Sequence, residues 1–169
     1  MEDFFKGFGI VVGVCVGVVS GALVNLAVQW INEKRLERRL ISNLKFELRF
    51  DIKKIDQWLS EVTRYRNAVN SNTMGSYFGY FDLSRFISIT ANAVFASGLL
   101  YRHLADDDIG KLQVITGELS PNWESFINNQ IVQNRANFVQ AAAAQNVDFW
   151  ERKFQDHRAT LEAILSRLP

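Results

Sequence analysis

Residues 7–31 carry no charged side chain, and they read GFGIVVGVCVGVVSGALVNLAVQWI. As a helix rising ~1.5 Å per residue the stretch reaches ~37 Å, against a hydrocarbon core of ~30 Å. That length crosses a bilayer with modest tilt. A cleaved signal peptide fits less well, because its apolar stretch is shorter and its leader is basic. Here Glu2 and Asp3 outnumber Lys6 ahead of the stretch. We therefore expect a retained span, with 1–31 as amino-terminal tail and transmembrane helix and 32–169 as one further domain. Phe4, Phe5 and Phe8 at one end and Trp30 at the other suit the two interfaces of a bilayer.

Orientation follows from the basic residues near the ends. Lys34, Arg35, Arg38, Arg39, Lys45 and Arg49 follow the span, against Lys6 before it. The expectation is a single-pass protein of the inner (cytoplasmic) membrane whose carboxy-terminal domain is cytoplasmic. Residues 32–54 hold eight basic and four acidic groups, net +4. Anionic lipid favours each basic residue near its surface by roughly 1 kcal/mol. Glu33, Glu37 and Glu47 interleave with the stripe, which favours lipid contact over an RNA-binding patch.

Composition removes several classes. With 169 residues, 19 Lys plus Arg and 18 Asp plus Glu, the net charge is +1. A general nucleic-acid binder is markedly basic, so no stable DNA binding is expected. One cysteine excludes an internal disulfide, and with only two histidines there is no expected metal centre and no expected cofactor.

Gly9, Gly13, Gly17 and Gly21 recur every four residues, three overlapping GxxxG units in register. On a helix they form one small-residue ridge that lets another backbone approach closely. Asn25 and Gln29 continue the same row. Two amides in an apolar span need a neighbouring helix or water. The reading is a homo-oligomer in a lipid bilayer, packed through the glycines, with Ser20, Asn25 and Gln29 as candidates for lining a wet path.

The soluble part reads as all-α. Neither Gly nor Pro occurs from Ala22 to Met74, so a long membrane-proximal helix is expected over 32–72. Its seam is Ile41, Leu48, Ile55, Val62 and Val69, with Leu44, Ile52 and Leu59 between. Gly75 is a plausible cap, and YFGYF at 77–81 is a loop or a short strand. Asp82 is expected to start a helix near Leu83. Asp106, Asp107 and Asp108 mark the first turn of another, and Ser120–Pro121 starts a fourth that runs toward Ala141–Ala144. A last helix is expected over Val147–Leu168. Candidate core residues in the last two helices include Phe126, Ile127, Ile131, Phe138, Phe149, Trp150, Phe154, Leu161 and Ile164.

Phosphate loops, nucleophile elbows and paired-carboxylate signatures are missing. The segment WERKFQDHRATL holds one pair of interest, Arg152 and, five residues on, His157. A histidine moves a proton from a ribose hydroxyl and an arginine stabilises the phosphorane charge, which together serve metal-free RNA cleavage. On the residues alone, a solvent-facing Arg and His are the commoner explanation.

Arg-x4-His on a late helix of an all-helical domain resembles the HEPN superfamily of RNases and their inactive relatives. With a glycine-ridged amino-terminal span, the chain looks like the membrane-anchored Csx-type accessory proteins of type VI-B CRISPR systems. The resemblance implies a HEPN-like bundle after the span. It also implies an octameric membrane pore that strengthens antiphage defence by an RNA-guided, RNA-cleaving CRISPR effector, through depolarisation of the infected cell. Active relatives commonly carry Asn, Asp or His after the motif arginine, and this chain has Lys153. The enzyme question therefore leans to no, with Arg152 and His157 expected to hold the last helix against a neighbour. Two alternatives stay open: a membrane-tethered HEPN RNase, and a non-enzymatic anchor that recruits a partner.

Overall fold

The computed structural model describes residues 2–83 and 86–169, with side chains from residue 20 onward. Among them are five α-helices and no strand, so the protein is all-α. They are α1 (Glu2–Asn70), α2 (Ile89–Ala96), α3 (Asp106–Glu118), α4 (Pro121–Ala136) and α5 (Gln140–Arg167). Short 3₁₀ turns cover Met74–Ser76 and Leu99–Arg102. The chain divides into two compact units, Met1–Leu40 and Ile41–Pro169.

In the first unit every residue from Ser20 to Leu36 is exposed. Leu23, Val24, Leu26 and Trp30 each show about 60% of their surface (61%, 64%, 61% and 62%) and lie within about 160° of the helix circumference, with Asn25 and Gln29 on the opposite side. An exposed apolar face of this kind suits lipid or close neighbours rather than water. Among the described residues no helix is long and apolar enough to cross a membrane, and the side chains of residues 7–19 fall outside that statement.

In the second unit α1 buries Ile41, Leu44, Leu48, Asp51, Ile55, Trp58, Val62, Tyr65 and Val69. The steps alternate three and four, the seam of a helix packed lengthwise on another. The expected Ile52 and Leu59 are only half-buried, and Asp51 and Trp58 take the inward positions. On α5 the buried row is Ala143, Val147, Trp150, Phe154, His157, Leu161 and Ile164, with the same alternation. The two seams meet through rings, Trp58 on Phe154 at 5.5 Å and Tyr65 on Trp150 at 5.3 Å. Because 58 meets 154 and 65 meets 150, the helices run antiparallel. Ion pairs flank the seam, Arg66 with Asp148 and Glu151 at one end and Asp56 with Arg158 at the other. Phe81 packs parallel to Phe154, and the fully buried rings each stabilise the fold by roughly 2–3 kcal/mol.

The first helix stops at Asn70, with Asn72 in the left-handed region (φ 54°) and the Thr73 N–H closing on Ala68 O at 2.9 Å; Gly75 lies beyond the stop. YFGYF is a loop. Phe81 is pinned on both sides by Asn128, whose Oδ1 accepts the Phe81 N–H at 2.9 Å and whose Nδ2 donates to Phe81 O at 2.8 Å. A Cβ added at Gly79 would meet Glu61 Oε1 at 1.8 Å and the Tyr77 hydroxyl at 2.1 Å, so a larger residue there has to displace this hydrogen-bonded pair.

The second helix begins at Ile89 rather than near Leu83, because the preceding backbone is bound elsewhere. The Asp51 carboxylate accepts the Ile87 N–H at 2.9 Å. Glu47 accepts those of Thr90 at 2.8 Å and Ala91 at 2.9 Å. Ser88, the N-cap, makes no side-chain cap bond, so α1 supplies the acceptors for the first turn of α2. α4 ends at Ala136, and Ala141–Ala144 belong to α5, which starts at Gln140 instead of Val147. Asn137 and extended Val139 (φ −120°, ψ 104°) make the break.

Burial, with Glu47 adding to it, pushes the Asp51 carboxyl from 3.8 up to about 8, against the pull of the Ile87 N–H. A group held protonated in the folded state costs stability once the unfolded chain ionises. That cost begins near pH 4, grows as pH rises, and levels off above about pH 8. Asp51→Asn keeps an oxygen for the Ile87 N–H and cannot ionise. It should be more stable than the native protein by about 2–4 kcal/mol at pH 8.5, with the gap closing toward pH 4. Urea melts across that range check this, and a constant gap would refute it.

Candidate functional site

His157 occupies a core position of the α5 seam and is 5% exposed. Its Nε2 lies 3.0 Å from Glu118 Oε2, at an angle that makes no directed hydrogen bond. Glu118, the last residue of α3, accepts from Lys153 Nζ at 2.8 Å through its other oxygen. The Trp123 ring of α4 meets the imidazole edge-on at 6.5 Å. Burial holds the His157 pKa below its usual 6.5, while the Glu118 charge pulls it up. The imidazole is therefore mostly neutral at pH 7, and its charging opposes folding as pH falls below 6.5.

Two open grooves flank this cluster. One, of about 510 Å³, is lined by Asp106, Lys111, Ile115, His157 and Thr160. The other, of about 420 Å³, is lined by Glu118, Trp123, Phe126, Phe149 and Lys153. Phe126 and Phe149, expected in the core, are about half exposed at 49% and 48%. They form an aromatic groove wall, while their neighbours Ile127 and Trp150 are fully buried.

Arg152 is exposed, and its Nε donates to Asp148 O at 3.2 Å, one turn back on its own helix. Side chains five residues apart leave a helix about 140° apart. The structure thus sends His157 into the core and Arg152 to the surface, and does not bring the pair together within one copy. His157 lies against Glu118 of α3 and Trp123 of α4, whereas the Arg152 bond to Asp148 O stays within α5.

In the first unit Ser20, Asn25 and Gln29 are all exposed. A Cβ added at Gly21 meets nothing within 4 Å, so the ridge is open there for another backbone. Gly9, Gly13 and Gly17 lie outside the residues whose side chains are described. Of the carboxylates that interleave with the basic stripe, Glu47 is 4% exposed and Asp51 is 1%. Both face inward, so the exposed charges from residue 38 to 54 are all basic. The sequence count had set them against the stripe. The heptad spacing of 44, 48, 51 and 55 was the signal that places Asp51 inside, and the same spacing of 150, 154, 157 and 161 places His157.

Comparison with known families, characterised proteins and solved structures gives no match for this chain. What the residues do is therefore argued from their own chemistry.

Proposed function

We propose that the protein is a homo-oligomeric membrane pore that depolarises the cell, acting in antiphage defence beside an RNA-guided, RNA-targeting CRISPR effector. The observation that carries the pore reading is the first-unit helix, which exposes a broad apolar face and, on its other side, an open Gly21 with Asn25 and Gln29 on one row. The defence role rests on the resemblance of the span and the Arg152–His157 motif.

One helix cannot enclose a channel, so a ring is required. Helices ~9 Å apart with ~5 Å effective radius leave a lumen radius of ~1.4 Å for four copies. Eight leave ~7 Å, or ~4 Å if glycine contacts shorten the spacing to ~7 Å. The octamer passes hydrated ions and the tetramer does not. The buried His157 and outward Arg152 favour the pore over the tethered RNase.

The test is a voltage-sensitive dye in expressing cells, together with the size of the purified protein in detergent. Gly13→Leu with Gly17→Leu should leave insertion intact, reduce the oligomer to smaller species and remove depolarisation, because leucine suits lipid but blocks backbone approach. Unchanged size and activity in this double variant would refute packing through the glycines. Metal-independent RNA cleavage abolished by His157→Ala would establish the RNase instead.

A further inference from the structure

We propose that the pore selects cations over anions and that Glu33 sets the preference, an inference that rests on the pore reading above. The helix is unbroken from Ser20 through Leu40, so each residue advances by about 100°. With Gln29 as origin, Asn25 lies about 40° to one side and Glu33 about 40° to the other. The two amides and the carboxylate share one face. Lys34, Arg35 and Arg38 lie about 140°, 120° and 180° away, and Arg39 lies at the flank, about 80° from Gln29.

The pairing of these charges is equally divided. Lys34 Nζ donates to Glu37 Oε2 at 3.1 Å. Glu33 is exposed and has no ion-pair partner among the described residues. Among the described residues of the first unit, then, the acidic group with its charge uncompensated is the one that continues the amide row.

A ring built with the amides toward water carries this arrangement inward. Glu33 stands one turn past Gln29, at the cytoplasmic mouth, and repeats once per copy. Lys34, Arg35 and Arg38 turn outward, where phospholipid headgroups neutralise them, and Arg39, at the flank, stands about 9 Å further along the axis than Glu33. A lumen radius of ~4–7 Å keeps the carboxylates within one screening length (~8 Å at physiological salt) of a passing ion. A ring of carboxylates concentrates cations and repels anions.

The experiment uses the full chain in planar bilayers of neutral phosphatidylcholine under a potassium chloride gradient. The reversal potential should report potassium favoured over chloride by about three- to tenfold. Glu33→Gln should keep the conductance and bring that ratio near one, and Glu33→Lys should invert it. Glu37→Gln, the control, should leave the ratio as it was. Oligomer size in detergent must match the native protein for each variant, so that a lost preference is not a lost ring. An anion-selective or unselective native pore, or a Glu33→Gln pore as selective as the native one, overturns the assignment while the pore itself stands. Absence of any native current overturns both together.

Discussion

Changing Asn25 and Gln29 together to leucine should abolish depolarisation of expressing cells while the protein still reaches the membrane in native amounts. Both amides are exposed and one helical turn apart, on the row that continues from the open Gly21. An amide facing lipid has no partner, so these groups belong at helix contacts or on water. In the proposed pore, leucine makes insertion easier and removes the wetting groups at the inner end of the path. Apolar constrictions then close by dewetting. Membrane fractionation and a voltage-sensitive dye measure the two halves of the outcome. Full depolarisation by the double variant would mean that the amides do not line the route.

The largest effect on stability is expected from Glu47→Ala. This carboxylate accepts two N–H groups at the start of α2, and the Ala91 bond is fully buried. Truncation leaves both donors without acceptors, and a charged hydrogen bond lost in such a place costs ~1.5–3 kcal/mol. The sum, about 3–6 kcal/mol, is a large part of a domain's stability. Glu47→Gln keeps one acceptor oxygen and should lose about half as much. Glu33→Ala, on an exposed position, should lose nothing measurable. Chemical denaturation of the three variants orders them, and an Ala variant within about 1 kcal/mol of native would show that water replaces the carboxylate.

Local chemistry made the long elements legible. Ser120–Pro121 and the aspartates at 106–108 each start a helix where capping and dipole rules place one. The seam of α1 was readable at Ile41, Leu48, Ile55, Val62 and Val69 because those positions are apolar. Its other half was read one residue off, at Ile52 and Leu59, because an aspartate at position 51 looks like a surface residue until its long-range bond to Ile87 is known. The same tertiary bonds moved the start of α2 to Ile89, against a local signal at Asp82. Ala141–Ala144 suits any helix, so composition could not assign it to α4 or α5. At the candidate site the motif pair was visible as letters. The burial of His157 depended on its heptad phase, and Glu118 and Trp123, its partners from α3 and α4, carried no sequence signature.

The antiparallel pairing of α1 with α5 also bears on how the chain is made. Ile41–Val69 emerges from the ribosome long before Ala143–Ile164, the row that covers it. Until then the first seam has no permanent cover. Contacts this distant along the chain close slowly, and an uncovered seam is sticky in the meantime. Neighbouring nascent chains thus have a window in which copies of α1 can meet each other before α5 arrives. Synthesis rate, through pauses between residues 70 and 140, becomes a variable that divides chains between correctly closed bundles and tangled ones.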